Sequence, residues 1–277
     1  MLFRSEDLAV NVEFLNEAKI KRAPKNADAD ILAEMTRKIF GIDTSEQAEW
    51  KNGYTAFDHW KKALEDQGLL IFQMSFPITD ARGFFLDHPK FPSIVVNTQD
   101  SINGRIFSLF HEFAHFLLGE EGICDMGGLF RPEPEDIQIE AFCNKFSGSF
   151  LVPEIALAKS DIVRSGKYDD SNIAQLSKQF NVSREVILRR LLALGVISKS
   201  LYLKKQSELQ ESYKRVKAKG GKRRPSRECI SKNGVPFISL VLETRNQGII
   251  THSDVSDYLS VKMKYMPEIE KIISSKA

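Results

Sequence analysis

Apolar residues along this chain fall into a few distinct periodicities. Residues 28–40 and 56–67 carry them at helical spacing, with Trp60 and Leu64 on the packing stripe of the second segment and Gly68 placed to close it. Three short strand-like runs follow, at 69–76, 83–86 and 93–98, with Asp80-Ala81-Arg82 and His88-Pro89-Lys90 as the turns between them. Residues 106–118 then form an almost unbroken apolar helical run that Gly119 stops. A second helical pattern covers 135–146. Pro134 suits its first turn, Glu135 and Asp136 suit the positive end of its dipole, and Phe142, Phe146 and Phe150 recur every fourth residue as its buried stripe. Beyond it, 171–198 reads as two short helices around a turn, and 237–273 is helical again. Sequential short strands among helices predict an α+β fold: a mainly helical core with a small antiparallel sheet, a helix-turn-helix-like segment, then a C-terminal helical region.

The apolar run at 106–118 holds residues that packing does not ask for, in His111-Glu112-Phe113-Ala114-His115. Positions i and i+4 of a helix stack on one face, so both imidazoles point the same way and can share one zinc ion, with Glu112 beside them to handle a proton. The chain has five histidines, and at that abundance a chance occurrence of this pattern has odds of about one in a hundred. A core gains nothing from an ionisable glutamate and two imidazoles, because each buried polar group needs a partner. A shared metal supplies one for both rings at once.

A catalytic zinc takes three protein ligands and leaves one position open. No further histidine follows His115 closely, so the third ligand is sought among carboxylates. Glu140 lies mid-helix among apolar neighbours, where a carboxylate is costly unless a cation or donor meets it. Asn144, one turn on, shares its face and is placed to orient it. Glu133 and Glu135 compete, but near a helix start solvated acids are ordinary. Cys124 and Cys143 are the sulfur alternatives. Cys143, three positions after Glu140, can approach the same face and is expected to be a small core residue. Two histidines and a carboxylate also accommodate manganese or iron.

The stretch from Phe107 to Gly119, then Ile139-Glu140-Ala141-Phe142-Cys143-Asn144 and Phe150-Leu151-Val152-Pro153, resembles the ImmA/IrrE family of metallopeptidases. The likeness extends upstream through Gly68-Leu69-Leu70-Ile71-Phe72-Gln73, Ala81-Arg82-Gly83-Phe84 and Pro92-Ser93-Ile94-Val95-Val96-Asn97, and downstream to the C-terminus. It implies a zinc-dependent endopeptidase that cleaves a helix-turn-helix (Xre-type) repressor encoded nearby and so relieves repression. It also implies that His111, His115 and Glu140 bind the metal and that Glu112 is the catalytic acid/base. Many members carry their own N-terminal helix-turn-helix domain. Residues 1–50 lack a convincing one here, so the repressor is expected to be a separate chain.

Composition adds boundaries rather than chemistry. With 277 residues, 42% hydrophobic and 27% charged, the chain is an ordinary globular protein of one to two domains. No apolar run approaches the roughly 18–20 residues that span a bilayer, and Met1 to Asp7 does not read as a signal peptide, so no membrane partner is expected. Three scattered cysteines, Cys124, Cys143 and Cys229, suit a reducing cytoplasm better than a disulfide framework.

In the helix pair, Ser171 and Ser183 are placed as caps, with Ser177, Asn181, Val182 and Ile187 at helix-turn-helix positions and Gly195 as the stop. Arg184, Arg189 and Arg190 decorate the second helix, where a DNA reader would face the groove; the alternative is a pair that only packs on the core. Residues 199–232 hold twelve Lys/Arg and three Glu, a balance of +9 against +2 for the whole chain, which leaves −7 elsewhere. The densest part, 217–227, contains Gly220-Gly221 and Pro225 and reads as a linker. The expected division is a peptidase domain with N-terminal helices at 1–160, the helix-turn-helix-like segment at 161–200, a basic linker at 201–233 and the C-terminal helices at 234–277. Two other functions fit the same features: sequestration of a repressor or antitoxin without cleavage, and direct regulation through DNA.

Overall fold

The structure is a computed structural model that describes residues 18–24, 26–120, 133–213 and 224–275. Three helices open it: α1 (Ala29–Phe40), α2 (Thr44–Glu49) and α3 (Gly53–Glu65). Strands β1 (Leu70–Met74), β2 (Gly83–Leu86) and β3 (Ser93–Asn97) follow, then the long helices α4 (Ile102–Leu118) and α5 (Pro134–Leu151). Next come α6 (Glu154–Ala158), α7 (Asp161–Ser165), α8 (Asp170–Gln179), α9 (Arg184–Ala193) and α10 (Lys199–Tyr213). The last four are α11 (Pro225–Asn233), α12 (Val235–Asn246), α13 (His252–Leu259) and α14 (Met266–Ser274). Mainly helical with one small sheet, the chain has the α+β architecture its patterning predicts.

The sheet corrects one expectation: it is mixed, not antiparallel. Its order is β1-β3-β2, with β1 parallel to β3 (Leu70 opposite Ser93) and β2 antiparallel to β3 (Gly83 opposite Val96). All five residues of β3 are buried, as a central strand covered on both faces requires. Side chains alternate across the sheet. Leu69, Ile71, Phe85, Ile94 and Val96 face a helical core that includes α3, α4, α5, α8 and α9, while Leu70, Phe72, Phe91 and Val95 face α11 to α14. The C-terminal helices therefore cover the second face of the sheet. Polar ties reinforce this contact. Lys61 Nζ and Gln73 Nε2, both on the core side, donate to the Ser231 carbonyl at 2.8 Å each.

Helix α4 is buried on nearly all sides, packed between α3, α5, β2 and β3. Ser101 caps it by accepting from Gly104 N–H, and Gly119, in the left-handed region at φ 69°, ends it by donating to the His115 and Phe116 carbonyls. Around it, Trp60, Phe110, Phe113, Phe146 and Phe150 pack as a continuous aromatic cluster. Each such fully buried ring contributes about 1.5–3 kcal/mol. Helix α5 begins as expected, with Pro134 in its first turn and a reciprocal capping box between Glu133 and Asp136.

A buried polar network joins the first helices to this core. Arg37 Nη1 donates to the Phe150 carbonyl and Nη2 to Gln47 Oε1, both at 2.7 Å. Gln47 Nε2 donates in turn to the Leu151 and Phe180 carbonyls. Asn181, at φ 51°, spans the turn between α8 and α9 and donates to the Gln47 carbonyl. Burial pulls the Arg37 guanidinium down to about 10, against the pull of Asp43 and Glu46 in the other direction, so it stays a cation at neutral pH.

Three further expectations change. Asp169, not Ser171, caps α8, while Ser183 caps α9 as anticipated. Arg190 does not decorate an outer surface. It is buried, donating to the Val152 carbonyl and pairing with Asp30 at 3.0 Å, while Arg189 pairs with Glu185 on its own helix. Residues 201–213 and 225–233 are helical rather than linker, because Pro225 sits in the first turn of α11, where its missing N–H costs nothing. Residues 214–223, the rest of the expected linker, lie outside the described residues, as do 121–132, with Cys124, and the first 17 residues.

Candidate metal centre

One turn of α4 aims His111 and His115 the same way, their ring centroids 5.1 Å apart. Helix α5 packs along α4 and presents Glu140 to both. Its two carboxylate oxygens are divided between the rings: Oε2 lies 3.1 Å from His111 Nε2 and Oε1 lies 3.3 Å from His115 Nε2. The histidines are buried and the glutamate side chain is 41% exposed, so the cluster opens to solvent on the Glu140 side. Burial pushes the Glu140 carboxyl up, but the contacts with His111 and His115 outweigh it and hold it well below the usual carboxylate range.

The His111 contact tests whether these residues suit a metal. Its Nε2 is fully buried, and the approach to Glu140 at 3.1 Å does not have hydrogen-bond geometry. A buried ring nitrogen directed at a carboxylate without bonding to it would cost free energy in an isolated core. A shared cation removes that cost, because nitrogen lone pairs and a carboxylate then all point at positive charge. Two imidazoles and a carboxylate are the donor set of a catalytic zinc site.

Glu112 follows His111 directly on α4. It is buried against β2, where Gly83 has no side chain to stand in its way. A Cβ at Gly83 would meet Glu112 Cγ and Oε1 at 3.3 Å and the Val95 carbonyl oxygen at 2.9 Å. Patterning did not mark Gly83, although an isolated glycine inside a strand signals close approach of another group. One other residue differs from expectation. Asn144 is exposed and has no hydrogen bond to Glu140. Cys143 is buried as expected, yet its sulfur and one ring nitrogen each from His111 and His115 all lie within 4.8 Å of one another. Glu135 is exposed near the start of α5, and Glu133 caps that helix.

His88 Nδ1 accepts from the Lys90 and Phe91 N–H groups, His252 opens α13, and Tyr54 lies on α3 lining a cleft with Arg224 and Arg227. Among the described residues no helix is long and apolar enough to cross a membrane.

No curated protein gives a significant match to the chain. A family model does: the M78 peptidases, described as the IrrE N-terminal-like domain, match residues 64–192. That interval runs from the end of α3 to α9 and includes the whole sheet, both histidines, Glu112 and Glu140. Over residues 64–192 the chain is therefore similar to the IrrE N-terminal-like domain of the M78 peptidases.

Proposed function

We propose that the chain is a zinc-dependent endopeptidase that hydrolyses a peptide bond in a helix-turn-helix (Xre-type) repressor, a separate protein encoded nearby. The observation that carries this reading is the convergence of His111, His115 and the divided carboxylate of Glu140, with Glu112 one residue along from the first histidine. His111, His115 and Glu140 would hold the ion; manganese or iron would suit the same donors. A divalent cation there supplies Lewis acidity, making water nucleophilic near neutral pH and polarising the scissile carbonyl.

The chain's own groups do the rest. Glu112 accepts a proton from the attacking water and returns it to the leaving nitrogen, so its carboxylate is regenerated each turnover. Gly83 gives that carboxylate its room. Strand β2 is an edge of the sheet among the described residues. The Arg82 carbonyl accepts from Asn97 N–H, so by antiparallel alternation the backbone groups of Gly83 and Phe85 face away from β3. An extended peptide can add along that edge and pass beside Glu112.

Replacing Gly83 with alanine is expected to cost about 1–3 kcal/mol of stability through overpacking. It should also lower turnover more than metal affinity, since it displaces the base and no ligand. Thermal melts, zinc titration and turnover together check this; unchanged turnover would show that Glu112 does not depend on this space.

The functional test is incubation of the zinc-loaded protein with the repressor encoded beside it. Cleavage at one site, lost in Glu112→Gln, supports the peptidase; release of the repressor from DNA without cleavage supports sequestration. The packing of α9 gives little support to direct DNA reading, since α5, α8 and α10 lie against it and Arg190 points inward. A cytoplasmic location fits the free thiols of Cys143 and Cys229.

A further inference from the structure

Cys143 and Glu140 are three residues apart on α5, which places them on neighbouring parts of one helix face. They flank the histidine pair from opposite environments: the Glu140 side chain is 41% exposed, whereas Cys143 is completely buried. A buried cysteine usually serves as a small apolar residue. The surroundings of this one are different, because its sulfur and a ring nitrogen from each histidine lie within 4.8 Å of one another. Cys229 makes the contrast clear. It is also buried and free, but it lies on the far side of the sheet beside Asn233 and the Leu259 carbonyl, with no imidazole in its group.

We propose that Cys143 is a fourth protein donor to the metal centre. This rests on the reading that His111, His115 and Glu140 hold the cation. Coordination replaces the S–H bond with a sulfur–metal bond and releases the thiol proton to solvent, one more proton per ion bound than the other three donors require. Two chemical consequences follow. A thiolate adds softness that favours zinc over manganese or iron. Four protein donors would also leave no open position, so water and substrate would enter by expanding the coordination or displacing one donor. The resting enzyme would then be latched by its own side chain.

Absorption spectra of the full-length chain loaded with cobalt(II) test this. The expected result is visible ligand-field bands together with a near-ultraviolet sulfur-to-cobalt charge-transfer band. In Cys143→Ser the visible bands should persist and the near-ultraviolet band should vanish. Cys143→Ala, which introduces no buried hydroxyl, should behave the same way if the serine variant folds poorly. Visible bands without the charge-transfer band in the unsubstituted protein would overturn the proposal and leave the three-ligand site standing. Persistence of that band in both variants would overturn it as well, by placing the sulfur elsewhere. Absence of cobalt binding in the unsubstituted protein would overturn both the proposal and the three-ligand reading.

Discussion

Glu112→Gln is expected to lower peptide-bond cleavage by at least about 10²–10⁴-fold, the usual contribution of a positioned general base. The substitution exchanges one oxygen for an NH₂ group of nearly the same size, so the cavity beside Gly83 stays filled. Glu112 is not one of the three proposed ligands, so zinc affinity should change little. The pattern to look for is a fall in kcat with unchanged zinc stoichiometry and melting temperature. Activity within tenfold of the unsubstituted protein would remove Glu112 from the proton transfer. Loss of zinc along with activity would recast it as a support for the ligands.

The second large effect concerns stability. Arg37→Ala should destabilise the chain by about 3–5 kcal/mol, because it leaves two buried acceptors without a donor and removes a cation from two aromatic faces. The Phe150 carbonyl and Gln47 Oε1 would each lose a donor inside the core, and an unsatisfied buried acceptor costs about 1–3 kcal/mol. The guanidinium also lies over the Trp60 and Phe150 rings, 5.4 and 5.7 Å from their centroids, and that contact goes too. For a protein of this size the loss corresponds to a melting temperature lower by roughly 8–15 °C. Because Gln47 bridges the end of α5 to the turn before α9, protection from hydrogen exchange should fall in both places. A change under 1 kcal/mol would mean that water or a neighbouring side chain replaces the guanidinium without loss.

These two residues mark what could and could not be read from the sequence. Helix α4 was legible because its apolar run was long and its exceptions, His111, Glu112 and His115, fell on helical spacing. Glu140 was legible for a related reason: a carboxylate in mid-helix among apolar neighbours needs a cation or donor to meet it. Arg37 was not, since an arginine in an amphipathic helix is ordinarily solvated, and only the packing of α1 on α5 turns it inward. The same holds for Arg190, whose partner Asp30 lies 160 residues away. Strand direction was also hidden. The unbroken apolar run Ile94-Val95-Val96 marks a strand covered on both faces, but nothing local to it says which neighbour runs parallel. Gly83 and Cys143 acquire meaning only once β2 and α5 are placed against α4, because each depends on a distance between elements far apart in the chain.

Zinc stoichiometry measured by native mass spectrometry, on the unsubstituted chain and on His111→Ala, His115→Ala and Glu140→Ala, tests the central claim most directly. One zinc ion per chain is expected in the first, with binding abolished or weakened by orders of magnitude in each variant while the fold persists. Zinc retained in all three variants, or never bound by the unsubstituted protein, would contradict it.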